Sequence, residues 1–105
     1  MVIIETRTFT KQVLSLLSEE EYRMLQEELV SAPDAGAIIR GSGGIRKFRW
    51  KLPGRGKSGG ARIIYYWAIS HDQILMLFMY PKNEQENLTQ EQLRILRQIV
   101  EDEYP

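Results

Sequence analysis

The sequence has 105 residues, 43% of them hydrophobic, and its 14 basic residues balance 14 acidic ones. That length suffices for one core, so we expect a single domain over residues 1–105. Without cysteine there can be no disulfide or thiolate metal site, and no apolar run approaches the roughly 20 residues that a membrane span needs. The N-terminus also lacks the basic start of a signal peptide, so we predict a cytoplasmic protein.

The first half of the chain predicts one strand followed by two helices. Val2–Thr6 is a short β-rich run, and Thr8 or Thr10 is the predicted cap of the first helix. Ser18 and Glu21 have the spacing of a capping box, which predicts the start of the second helix. The two helices would form a hairpin.

The second half predicts three strands and a closing helix. Ile45–Lys51 alternates, Ala61–Ile69 is β-branched and aromatic, and Ile74–Tyr80 is apolar enough for a central strand. Thr89 and Gln92 form another capping box. The order β-α-α-β-β-β-α predicts an α+β fold, with a small antiparallel sheet of three to four strands between the helical hairpin and the C-terminal helix.

Positive charge is concentrated in the middle of the chain. Seven of the 21 residues in Arg46–Tyr66 are Arg or Lys and none is acidic, which leaves seven basic and 14 acidic residues elsewhere. Strand alternation collects Lys47, Arg49 and Lys51 on one face, and Arg62 begins the next strand. Because like charges held together repel, the pattern favours a polyanion site over a solvated surface.

The familiar catalytic and cofactor motifs fail in context. Gly54–Gly59 matches G-x-G-x-x-G, but a strand follows it where a dinucleotide site requires a helix. His71 is the only histidine and lies in a predicted polar turn, so we expect it to be solvated. No cofactor and no metal are predicted.

Two stretches together resemble the RelE/HigB superfamily of bacterial toxins, and most closely its HigB branch. They are GGIRKFRWKLPGRGKSGGARIIYYW and the sequence Tyr80-Pro81-Lys82-Asn83-Glu84 after the apolar strand. The resemblance extends from Gly43 to Thr89. It implies a RelE-like fold and a metal-independent messenger-RNA endonuclease that works in the ribosomal A site and is neutralised by an antitoxin, in the HigB branch a DNA-binding HigA-type protein.

The resemblance also assigns residues. It places the catalytic arginine at Arg62, the basic pair of the preceding strand at Lys47 and Arg49, and the basic residue after the apolar strand at Lys82. The sequence departs from better-studied members at Asn83, where they have arginine, and at 87–89, where they have a tyrosine.

RNA can be cut by attack of its own 2′-hydroxyl, which requires proton removal, charge stabilisation and protonation of the leaving oxygen. We assign charge stabilisation to Arg62 with support from Arg49, and proton transfer to Lys47 and Lys82, leaving open which is base and which is acid. The expected contacts to RNA or the ribosome are Arg46, Lys51, Arg55, Lys57, Tyr66 and Tyr80. For the aromatic residues, core packing is the alternative.

Two other functions are compatible with the sequence. A ParE-type toxin would share the fold but inhibit DNA gyrase, and a non-catalytic module would bind RNA without cutting it. The dense basic strand pair argues against the ParE-type alternative.

Overall fold

The computed structural model describes residues 1–51 and 60–105. The predicted loop between the two basic strands, with Arg55 and Lys57, lies outside the described residues. The elements in chain order are β1 (Val2–Glu5), α1 (Arg7–Leu16), α2 (Glu19–Ser31), β2 (Ala37–Ile38), β3 (Ile45–Lys51), β4 (Gly60–Ala68), a 3-10 turn (Ile69–His71), β5 (Gln73–Pro81) and α3 (Gln90–Glu103).

The predicted α+β class is confirmed, but the sheet has five strands and is mixed. The spatial order is β1-β5-β4-β3-β2, with β1 parallel to β5 and the other pairs antiparallel. The prediction of a three- to four-stranded antiparallel sheet included β1 but not its parallel pairing, and it missed the short strand β2. The first strand pairs with the last because Ile3 packs into the core on one face of the sheet and Ile4 into the core on the other.

Each face of the sheet has its own hydrophobic core. The hairpin of α1 and α2 covers one face, where Phe9, Leu25 and Leu29 are fully buried against Ile63 and Tyr65. Helix α3 covers the other face, where Leu96 and Val100 pack with residues of β4 and β5. The central strands are apolar on both sides because helices lie above and below them.

Two of the three predicted helix starts are confirmed. Ser18 and Thr89 each form a capping box, as their spacing to Glu21 and Gln92 predicted. The first helix instead begins after Thr6, whose hydroxyl accepts from the Phe9 N–H at 3.1 Å and donates to the Leu77 carbonyl at 2.9 Å. That second bond ties the cap to β5, and such a tertiary contact leaves no local pattern.

None of the helices over residues 1–51 and 60–105 combines the length and the apolar composition that crossing a membrane requires.

Candidate functional site

The pairing of β3 with β4 brings basic residues from two strands onto one face. Arg49 lies directly opposite Arg62, and Lys47, two residues along β3, lies opposite Ile64. Residues directly opposite in an antiparallel pair point to the same side, so these three cations share the face that carries α3. We call Lys47, Arg49 and Arg62 the basic cluster.

A second row of cations follows toward the end of the strands. Lys51 pairs with Gly60, and the Lys82 N–H donates to the Gly60 carbonyl at 3.0 Å. Gly60 has no side chain to stand between them, and a Cβ built there would lie 3.7 Å from Lys82 Cδ. Both lysines therefore extend the face of the basic cluster.

Burial differs sharply among these residues. The Arg62 side chain is only 8% exposed, whereas that of Arg49 is 67% exposed. Lys47 is half-buried, and Lys51 and Lys82 are exposed. A buried guanidinium needs partners because its charge is otherwise costly to remove from water.

The main partner of Arg62 is Glu86, which the sequence interpretation missed. Arg62 Nη2 donates to both carboxylate oxygens, at 3.0 and 3.2 Å, and Arg49 Nη2 lies 3.9 Å from the same carboxylate. The hydrogen bond from Arg62 holds the pKa of Glu86 below its usual value. The sequence has no acidic residue between Asp34 and Asp72, so no carboxylate lies near the basic cluster along the chain. The partner comes instead from the connection between β5 and α3.

The next residue of that connection contacts Lys47. Lys47 Nζ donates to Asn87 Oδ1 at 2.7 Å. Burial, and then the positive charge of Arg49, lower the pKa of Lys47. An amide thus occupies the region where better-studied members have a tyrosine, and it orients the ammonium without neutralising it.

Tyr80 lies beside Arg62 on β5 and is almost fully buried. Its hydroxyl donates to the Glu86 carbonyl at 3.2 Å, and burial raises its pKa. The hydroxyl is therefore a proton donor that anchors the connection, and a poor candidate for a base.

Two residues predicted to contact RNA lie elsewhere. Arg46 pairs with Tyr65 and so faces the helical hairpin side, and its Nη1 donates to the carbonyls of Asp34 and Gly36, at 3.2 and 2.8 Å. Tyr66 packs against Tyr104, the residue that follows α3, with ring centroids 5.6 Å apart. The tether that Arg46 forms is structural, and the packing of Tyr66 matches the core alternative.

Metal ligands do not gather in the described ranges, where no group of three His, Cys, Asp or Glu side chains could hold an ion. His71 is exposed and its ring lies 4.9 Å from that of Tyr104. Within the described ranges, the groups placed at the site are basic side chains, the Asn87 amide and the Glu86 carboxylate.

Comparisons with known proteins identify the fold and the family. A solved structure of a mutant E. coli toxin RelE in the free state is similar over 81% of this chain and 86% of its own, with a TM-score of 0.57 and 17% sequence identity. At that identity the likeness concerns the fold. The family model described as the RelE toxin of the RelE/RelB toxin–antitoxin system matches residues 3–103. The chain therefore belongs to the RelE toxin family, as the toxin component of a toxin–antitoxin system with an antitoxin as its partner.

Proposed function

We propose that this toxin is a ribosome-dependent messenger-RNA endonuclease that cleaves in the A site and thereby inhibits translation. The observation that carries the proposal is the convergence of Arg62 and Arg49 on a single carboxylate. A phosphodiester carries the same single negative charge as the carboxylate that these two guanidinium groups now share, and arginine retains its own charge at any physiological pH.

In the proposed reaction, the 2′-oxygen of a nucleotide attacks the adjacent phosphorus and the bond to the leaving 5′-oxygen breaks. The products are a 2′,3′-cyclic phosphate and a 5′-hydroxyl. Negative charge grows on the phosphoryl oxygens in the transition state, and Arg62 with Arg49 would stabilise it. The burial of Arg62 strengthens that interaction because little water screens it.

Proton transfer falls to lysine in this scheme. The lowered pKa of Lys47 increases its neutral fraction, which supports a role in taking the 2′-hydroxyl proton. Lys82 lies in the second row of cations and is the candidate for protonating the 5′-oxygen. Neither step requires a metal.

Other residues would hold the RNA in place. Lys51 lies at the edge of the basic cluster and would contact phosphates of the message or the ribosome, as would Arg55 and Lys57. Tyr80 supports the site through the connection it anchors. We leave Arg46 and Tyr66 out of the proposed RNA contacts because both have structural partners.

The finer classification rests on the sequence motifs. We propose that the toxin belongs to the HigB branch, that its antitoxin is a DNA-binding HigA-type protein and that it acts in the cytoplasm. Copurification of the toxin with the protein encoded beside its gene would test the partner.

Primer extension on messenger RNA translated in vitro tests the activity. We expect wild-type toxin to produce new 5′ ends that require ribosomes, and Arg62→Ala to remove them. Because Arg62 is buried, Arg62→Lys serves as a second variant that keeps the charge but loses the planar fork. Intact message with the wild-type protein would overturn the proposal, and a gyrase supercoiling assay would then test the ParE-type alternative.

A further inference from the structure

The contact between Arg62 and Glu86 leaves part of the guanidinium unused. A single nitrogen, Nη2, donates to both carboxylate oxygens. Arg62 Nε is buried and has no hydrogen-bond partner within the described residues. Nε and Nη2 together form the fork that binds an anion through two parallel hydrogen bonds. Glu86 therefore accepts hydrogen bonds from only one of the two nitrogens of this fork, Nη2.

Glu86 is also weakly held as a side chain. Its side chain is 53% exposed, whereas that of Arg62 is 8% exposed. The backbone of the connection is fixed separately, because Tyr80 donates to the Glu86 carbonyl and Gln85 Nε2 donates to the Asn87 carbonyl and to Gln92 Oε1. Rotation of the Glu86 side chain would therefore free Arg62 without moving the connection.

We propose that Glu86 is a specificity-determining residue, whose carboxylate occupies the place of an RNA phosphate on Arg62 and Arg49 and must be displaced before RNA binds there. The inference rests on the proposed function, since it takes the basic cluster to be the RNA phosphate site. A phosphate that fills both arms of the fork outcompetes Glu86, whereas an RNA making few other contacts does not. Glu86 thus reduces binding to free RNA and favours RNA held in place by the ribosome.

The electrostatics agree with this role. The pKa of Glu86 is lowered by Arg62, with further contributions from Arg49 and Lys47, so the carboxylate stays ionised at neutral pH. An ionised carboxylate therefore competes with phosphate for the same cations at neutral pH. The apparent affinity of a site that is only partly available falls in proportion to its available fraction.

The test measures equilibrium binding of a fluorescein-labelled 2′-O-methyl oligouridylate, without ribosomes, by fluorescence anisotropy. The methyl groups block cleavage, so binding is observed alone. The proteins are wild type, Glu86→Gln, Glu84→Gln and Arg62→Lys, each checked by thermal unfolding. Glu84 is exposed on the same connection, so Glu84→Gln changes the net charge equally without changing the contact to Arg62.

We expect Glu86→Gln to bind about fivefold more tightly than Glu84→Gln, the change that corresponds to loss of an ion pair with one half-exposed partner. Equal binding by the two variants would overturn the proposal, because only the overall charge would then matter. Weaker binding by Glu86→Gln would also overturn it and would indicate that Glu86 positions Arg62. If Arg62→Lys binds as wild type does and Glu86→Gln has no effect, the basic cluster is not the RNA phosphate site. The proposed function then fails together with this inference.

Discussion

On β3, Phe48 and Trp50 face the helical hairpin, whereas Lys47 and Arg49 face the side that carries α3. The hairpin face buries apolar side chains along the described strands. The α3 face is apolar under the helix but charged toward the strand ends, where the connection to α3 covers Arg62 with Glu86. A face covered by helices favours apolar residues, while one covered by a polar connection can hold cations. Strands β3 and β4 therefore supply apolar residues to the core on one face and the basic cluster on the other.

The largest expected effect lies on the hairpin face. Phe9 is fully buried, so Phe9→Ala should lower the free energy of unfolding by about 3–5 kcal/mol through lost burial and the cavity left behind. Urea unfolding followed by circular dichroism measures this. The control is Leu14→Ala on the same helix, where the side chain is 77% exposed and we expect a change within about 0.5 kcal/mol. Similar losses for the two variants would contradict the assignment of the core.

Two arginines on one strand sharpen the comparison between faces. We expect Arg49→Ala to slow cleavage about tenfold, because Arg49 lies beside the position of the Glu86 carboxylate, where the RNA phosphate is proposed to bind. We expect little change in stability because Arg49 is exposed. We expect Arg46→Ala to lower the free energy of unfolding by about 1 kcal/mol and leave cleavage unchanged, since it binds two carbonyls on the other face.

Single-turnover cleavage on programmed ribosomes and urea unfolding separate these effects. The two faces would not be functionally distinct if Arg46→Ala slowed cleavage as much as Arg49→Ala did.

The smallest expected effect is a change in the pH profile. The pKa of Lys47 is lowered by burial and by Arg49, so its neutral form becomes available below the usual lysine range. If Lys47 takes the 2′-hydroxyl proton, cleavage should rise with pH and level off as Lys47 becomes neutral. Lys47→Arg stays charged and should lack that rise. Single-turnover rates across pH measure it, and a rise that persists in Lys47→Arg would assign the base to another group.

Much of the fold follows from local patterns. The capping boxes at Ser18 and Thr89 mark their helices because the bonds close within one turn. The alternation of Ile45–Lys51 separates charged from apolar side chains because neighbouring residues of a strand point to opposite faces. The same local rule put Lys47 and Arg49 on one side of β3, but only the register of β3 with β4 set Arg62 on that side as well.

Partners far apart in sequence were settled only by the tertiary structure. The parallel pairing of β1 with β5, the use of Thr6 as a cap and the contact of Glu86 with Arg62 each join segments separated by loops or whole elements. The sequence determined which residues are charged, which are apolar and which local turn each segment makes. Only the packed fold decided which carboxylate meets which cation, because that choice depends on how the connection after β5 lies over the sheet.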